Sequence, residues 1–257
     1  MASDAAWVKI ADDIGLRGHD FSRAPLPISA AQIKEAVQGF KKTNQTEPRL
    51  LCKQDTRDSR PEIFKEYGLF ILPVRNKHYI LLRGDGYVDI PTPPAQHIAH
   101  KSILSFEPRS SLIGNSEMQH LDLAYASSVI RTFCDDPNLV LTIRGRKYTS
   151  AFECRAGGHL ISVQSVQTEV DAGFESESEI VLVEAKPKKV TDTIIRQLYF
   201  PFRQWAVACP GKPIRTLFFS KEQKDYLIWE FGFSDISDYN SIRLIGSSRI
   251  RVSPPPS

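Results

Sequence analysis

The sequence predicts a mixed α/β protein of the α+β kind, and three observations carry that prediction. One is the apolar run Ile180-Val181-Leu182-Val183, closed by Glu184-Ala185-Lys186 and stopped by Pro187, which reads as a strand covered on both faces. Another is a pair of apolar stripes at helical spacing, one through Met118, Leu121, Tyr125, Val129 and Ile130, the other through Ile194, Leu198, Phe202 and Trp205. The third is a set of short β-leaning runs around them, at 139–143, 160–170, 214–219, 226–233 and 242–252.

Taken in chain order, AAWVKIADDIGLRG predicts a short helix ahead of the Pro25-Leu26-Pro27 break. Ser29 is placed to cap a helix over 30–42, with Ile33, Val37 and Phe40 as its apolar stripe. A further short helix at 61–67 precedes strands at 69–74 and 78–82, joined by the hairpin-sized turn Arg75-Asn76-Lys77. Helices followed by a hairpin suit a winged-helix-like α+β module, in which Arg75 and Lys77 at the wing tip could touch phosphate. A plain accessory α+β domain suits the same pattern. Gly84-Asp85-Gly86 and the prolines 91, 93 and 94 then mark a linker, giving an N-terminal module over 1–100 and a second domain over 101–257. His97 and His100 can share a helical face, but with no third ligand near they do not make a metal site. Ser116 or Asn115 caps the helix that follows, 139–143 is a strand, and Gly145-Arg146-Lys147 is a basic turn.

The run 160–170 and the strand ending at Lys186 flank a Gly-, Ser- and Glu-rich turn over 172–179, so the two can pair as a hairpin. A helix over 192–208 follows, with a kink or break expected at Pro201, which cannot donate to the carbonyl of Gln197. Gly232 suggests a bulge in the strand at 226–233, and Pro254-Pro255-Pro256 ends the chain.

Composition narrows little. The 257 residues are 41% hydrophobic and 25% charged, and the net charge of +3 is only mildly basic, so any attraction to nucleic acid must come from local patches. The four cysteines are widely spaced without a C-x-x-C pair, which argues against a zinc ribbon or a disulfide scaffold and for reduced thiols. No signal-like or membrane-spanning segment is present in the sequence, so a cytoplasmic, membrane-free protein is expected.

The hairpin gathers the chemistry. Alternation puts Leu182, Glu184 and Lys186 on one face and Val181, Val183 and Ala185 on the other. Pairing brings Asp171 beside Glu184. Two carboxylates next to a lysine make an oxygen-rich site suited to Mg²⁺, and such an ion can polarise a phosphoryl oxygen and activate a water for phosphodiester hydrolysis. An ordinary ion pair between Glu184 and Lys186 at a strand end is the bland alternative.

Asp171, then Glu184-Ala185-Lys186 on the next strand, then a helix, resembles the active-site signature of the PD-(D/E)xK nuclease superfamily, home of most type II restriction endonucleases. The wider phrasing VQTEVDAGFE, VEAK and IIRQLYFPFRQW, with Asp238-Tyr239-Asn240-Ser241-Ile242 among the final strands, is similar to restriction-endonuclease-like proteins of bacterial origin. Val170 stands where the signature often has proline. The resemblance implies a mixed central sheet flanked by helices and Mg²⁺-dependent, sequence-specific cleavage of double-stranded DNA by a homodimer in a bacterial cytoplasm. It implies Asp171, Glu184 and Lys186 as catalytic residues, with Asp171, Glu184 and the Ala185 carbonyl on the metal. Glu117, Glu169 and Gln197 are implied as supporting residues around them. Arg57, Arg144, Arg146, Lys147, Arg196 and Arg203 join Arg75 and Lys77 as candidate DNA contacts. A repair or junction-resolving nuclease of the same fold, or a DNA-binding regulator with an inactive nuclease-like domain, remains an alternative.

Overall fold

A computed structural model describes residues 3–253, so the Pro254-Pro255-Pro256 tail lies outside the described residues. In α1 (Asp4–Asp13), Ala6, Trp7, Ile10 and Ala11 recur at helical spacing and bury one face. β1 (Leu26–Ser29) leads straight into α2 (Ala30–Ala36), where Ser29 and Gln32 form the capping box. The expected helix stops at Ala36, short of Lys42; Gly39 and the β-branched Thr43 both lower the return on continuing it. Single turns α3 (Thr43–Thr46) and α4 (Pro48–Leu51) follow, the latter opened by a proline that needs no donor there. Then come α5 (Glu62–Glu66), β2 (Leu69–Arg75) and β3 (His78–Arg83), the last two joined through Lys77 at φ 63°. The three strands form an antiparallel sheet in the order β1-β3-β2, and Trp7, Ile33, Phe64, Ile71 and Leu81 close a core beneath it.

The remainder runs β4 (Tyr87–Asp89), β5 (Ile98–Lys101), α6 (Glu117–Ala126), α7 (Val129–Cys134), β6 (Val140–Tyr148), β7 (Phe152–Ala156), β8 (His159–Val163), β9 (Gln167–Glu175), β10 (Ile180–Lys186), β11 (Asp192–Ile194), α8 (Arg196–Ala208), β12 (Ile214–Glu222), β13 (Asp225–Phe233) and β14 (Ile242–Ser253). Seven of these strands build one sheet in the order β5-β14-β13-β12-β10-β9-β6. It is mixed: β10 and β12 run parallel across α8, β5 and β14 are parallel, and the other neighbours are antiparallel. Helices cover both faces. Leu121, Ala124, Val129 and Ile130 of α6 and α7 pack on Val181, Val183, Leu217 and Phe219, while Leu198 and Trp205 of α8 lie on the opposite face near Phe218 and Leu182.

Four local expectations need correction. The run 160–170 is two strands, separated where Ser165 takes a left-handed φ of 53° and Gln164 N–H donates to Val74. β9 continues to Glu175, so the hairpin turn is shorter than 172–179. Residues 192–194 form β11 because they pair with β4, and α8, starting at Arg196, runs unbroken through Pro201. The bulge expected at Gly232 sits in its partner: Glu230 opposes Gly246 and Phe231 opposes Leu244, leaving Ile245 as the extra residue, and a Cβ on Gly232 would come 3.1 Å from its Cδ1.

The two halves share a seam. Phe70, Leu72 and Leu82 of the small sheet pack with Tyr87, Phe152, Ile195, Tyr199 and Tyr239, each buried apolar side chain contributing roughly 1.5–3 kcal/mol. Because β4 pairs with β11 and β5 with β14, residues 87–101 travel with the large sheet, and the change in packing partner lies nearer residue 82 than residue 100. All four cysteines are free thiols, Cys134 and Cys154 buried. No helix among the described residues is long and apolar enough to cross a membrane.

Candidate active site

The alternation of β10 sends Ile180 and Leu182 into the cluster that contains Trp205 of α8, and Val181, Val183 and Ala185 under α6 and α7. Glu184 and Lys186 therefore emerge on the α8 face, at the end of the strand where the apolar cover runs out. β9 reaches the same point through an irregularity. Opposite β6, Ile143 pairs with Gly173 and Gly145 with Val170, so three steps of β9 span two of β6. Asp171 and Ala172 therefore have no register partner on β6. Gly173 is needed beside them, since a Cβ there would lie 2.7 Å from Ile143 Cβ.

Two hydrogen bonds tie this end of the hairpin together. Asp171 Oδ2 accepts the Ala185 N–H at 2.7 Å, and Lys186 Nζ donates to Glu184 Oε1 at 2.6 Å. Glu184 and Lys186 retain only 11% and 19% of their side-chain exposure. Burial pushes the Glu184 carboxyl up to about 7, against the pull of Lys186. Burial also raises Asp171, opposed by the Ala185 hydrogen bond. At Lys186 burial works against the charge, but Glu184 outweighs it and the ammonium is held above its ordinary value. The pocket thus carries two costly carboxylates and a single ammonium shared between them.

Glu117 opens α6 behind a Ser116–Gln119 capping box. Burial and then the Asp171 charge raise its pKa, and Lys186 acts on it too, so this carboxylate belongs to the same electrostatic neighbourhood. Gln197 accepts from Thr193 Oγ1 at 2.7 Å and, with Glu169, Glu184 and Pro201, lines a cavity of about 10 Å³, the scale of a single water. Glu169 also pairs with Arg146 at 3.2 Å.

The basic candidates divide sharply. Arg144 bonds Asp122 and lies close enough to Asp171 to oppose the burial that raises its pKa; Arg146 is 61% exposed, and Lys147 sits 5.7 Å over the Trp205 ring. These three line β6 beside the site. Arg75 and Lys77 are exposed at the far hairpin tip. Arg57 is spent on Asp85 and Asp89, and Arg203 on the carbonyls of Glu153 and Ile236 and the face of Phe152, so both are internal fasteners. Arg196 lies at the seam, its backbone N–H donating to Tyr239 Oη.

Sequence reasoning missed Lys53, Asp55 and Thr193. Asp55 acts electrostatically on both Glu184 and Lys186, and Lys53 on Glu117. No local pattern marks them, because only tertiary contact brings residues 53–57 to this end of the sheet.

An all-oxygen donor set of Asp171, Glu184 and the Ala185 carbonyl, desolvated and short of positive charge, fits a hard divalent cation. Among the described residues no three His, Cys, Asp or Glu side chains gather as a metal-holding group. A cation that takes two carboxylates and keeps several waters does not require one.

The chain belongs to the family described as domain of unknown function DUF6997, whose model matches residues 82–250. A second family, domain of unknown function DUF6996, matches residues 4–81. No curated protein and no solved structure matches the chain.

Proposed function

We propose that this DUF6997 member is a Mg²⁺-dependent endodeoxyribonuclease of the restriction type, built on a PD-(D/E)xK, restriction-endonuclease-like domain. The observation that carries the reading is the convergence at one strand end of Asp171, Glu184 and Lys186, with Asp171 tied to the Ala185 N–H at 2.7 Å and Lys186 on Glu184 at 2.6 Å. The mixed sheet with helices on both faces agrees with the architecture that the signature implies.

Asp171, Glu184 and the Ala185 carbonyl would hold Mg²⁺, which when bound supplies Lewis-acid polarisation of the phosphoryl oxygen and a water of lowered pKa. The chain's own residues do the rest. The Ala185 N–H fixes the Asp171 carboxylate, leaving its other oxygen for the ion. Lys186 keeps its proton at Nζ and offers positive charge where the phosphate becomes more negative. Glu184 orients that ammonium. Arg144, Arg146 and Lys147 lie along β6, where a DNA backbone entering the site would be met by cations. In the first segment, the helices and the β1-β3-β2 sheet with an exposed Arg75–Lys77 tip support a winged-helix-like contact with duplex DNA. Homodimerisation follows from the resemblance, since two-fold symmetry suits cleavage of both strands.

Incubating plasmid DNA with the protein in Mg²⁺ should give discrete fragments, and EDTA should abolish them. Lys186→Ala and Asp171→Ala should each lower the cleavage rate by about 10²-fold or more while DNA binding in Ca²⁺ persists. Undiminished cutting by the Asp171 variant would refute the assignment.

A further inference from the structure

The two family segments abut at residues 81 and 82, yet a strap from the first is laid into the second. Ile194 N–H donates to Asp55 O at 2.9 Å, Arg57 N–H to Asp192 Oδ1 at 2.7 Å, and Tyr87 OH to Gln54 O at 3.0 Å. From β11 the link continues through Thr193 to Gln197, and Gln197 lines the cavity against Glu184. Within the strap Gln54 is 1% exposed and both polar atoms of its side chain lack a partner. Lys53 and Asp55, on either side of it, reach solvent at 65% and 23%.

Resting on the nuclease reading above, we propose that Lys53 is a phosphate-binding residue of the catalytic cleft, so that the first segment supplies part of the site. The backbone pairing of the strap onto β11 fixes where Lys53 starts, and its length and exposure let the ammonium swing. Among the described residues its ion-pair partner is Asp55, 3.5 Å away, and a pair this long with its lysine 65% exposed is weak enough to exchange for a phosphate. The influence of Lys53 on Glu117, which also feels Asp171 and Lys186, agrees with a place at the rim of the same pocket. A DNA strand there would lie between Lys53 and the β6 cations. Asp55 stays behind when Lys53 turns to phosphate, and its charge remains close enough to support Lys186.

The test is fluorescence anisotropy of a labelled cognate duplex, taken from the plasmid fragment ends, in Ca²⁺ at several salt concentrations. Proteins compared are wild type, Lys53→Ala, Lys53→Arg and, as a control, Lys9→Ala, whose exposed ammonium pairs with Asp13 on α1. Lys53→Ala should weaken binding on the order of fivefold to tenfold and reduce the salt slope by about one, Lys53→Arg should retain both, and Lys9→Ala should match wild type. Calorimetric Mg²⁺ binding without DNA should be the same in all four. If wild type cuts DNA and Lys53→Ala binds it with unchanged affinity and slope, this inference alone is overturned. A wild type that neither binds nor cuts duplex DNA overturns the nuclease reading together with it.

Discussion

Two carboxylates on the large sheet, Asp225 of β13 and Glu184 of β10, are nearly buried and each touches a cation, yet their surroundings move them in opposite directions. Asp225 accepts from Arg251 at 2.6 and 2.9 Å and from Arg249 at 3.0 Å, and these bonds, Arg251 first, hold its pKa below the ordinary value despite burial. Glu184 has one ammonium, shared with Asp171 and Asp55, and burial wins. The count of donors decides the difference. Two guanidiniums satisfy Asp225 in full, whereas Glu184 has the Lys186 ammonium alone, and that ammonium also feels Asp171 and Asp55. The first arrangement fastens β13 to β14; the second leaves a buried carboxylate with a raised pKa.

That contrast can be broken most forcefully by Asp225→Asn. Leaving Arg249 and Arg251 without their shared carboxylate should cost about 2 kcal/mol in urea denaturation, the scale of hydrogen bonds to charged groups, with DNA cleavage at low denaturant unchanged. A cost near zero would mean that the pair is ornamental. The converse experiment replaces the poised pair by apolar and neutral groups: Glu184→Gln with Lys186→Met should abolish cleavage and raise stability by about 2 kcal/mol, because a desolvated and incompletely compensated pair is removed. Loss of stability there would make the pair a fastener like Asp225.

The smallest effect is in the pH dependence, measured without metal. For Asp225 the folded pKa is depressed, so its contribution is present above about 3.8 and is lost as pH falls through the lower folded value. For Glu184 the folded pKa is raised from 4.5 to about 7, so the folded state binds a proton that the unfolded chain has released, and stability should decline as pH rises across that interval. Denaturation midpoints of wild type and Glu184→Gln in EDTA should converge near the acidic end of the window and separate towards the other. Parallel curves would contradict the burial of Glu184.

What could be read from the sequence was what neighbours along the chain decide. The strand ending at Lys186 is legible because its apolar run is continuous and its polar terminus abrupt, and the hairpin because the turn residues between Glu175 and Ile180 interrupt two β-leaning runs. The same reasoning failed where a distant partner intervenes. Asp192–Ile194 has helical neighbours and becomes a strand because Tyr87–Asp89 pairs with it. Arg57 and Arg203 read as cations available to DNA, but acceptors far along the chain claim them. The irregularity opposite Asp171 leaves no mark beyond Gly173, whose small size is explained only by Ile143 on the adjacent strand.

The stitching of the 53–57 strap onto Asp192–Ile194 bears on how such a protein can be inherited. A recombination event that exchanged the opening eighty or so residues for an unrelated module would remove the Asp55 carbonyl that accepts from Ile194 N–H and the Arg57 N–H that donates to Asp192. The two segments should therefore descend together as one gene.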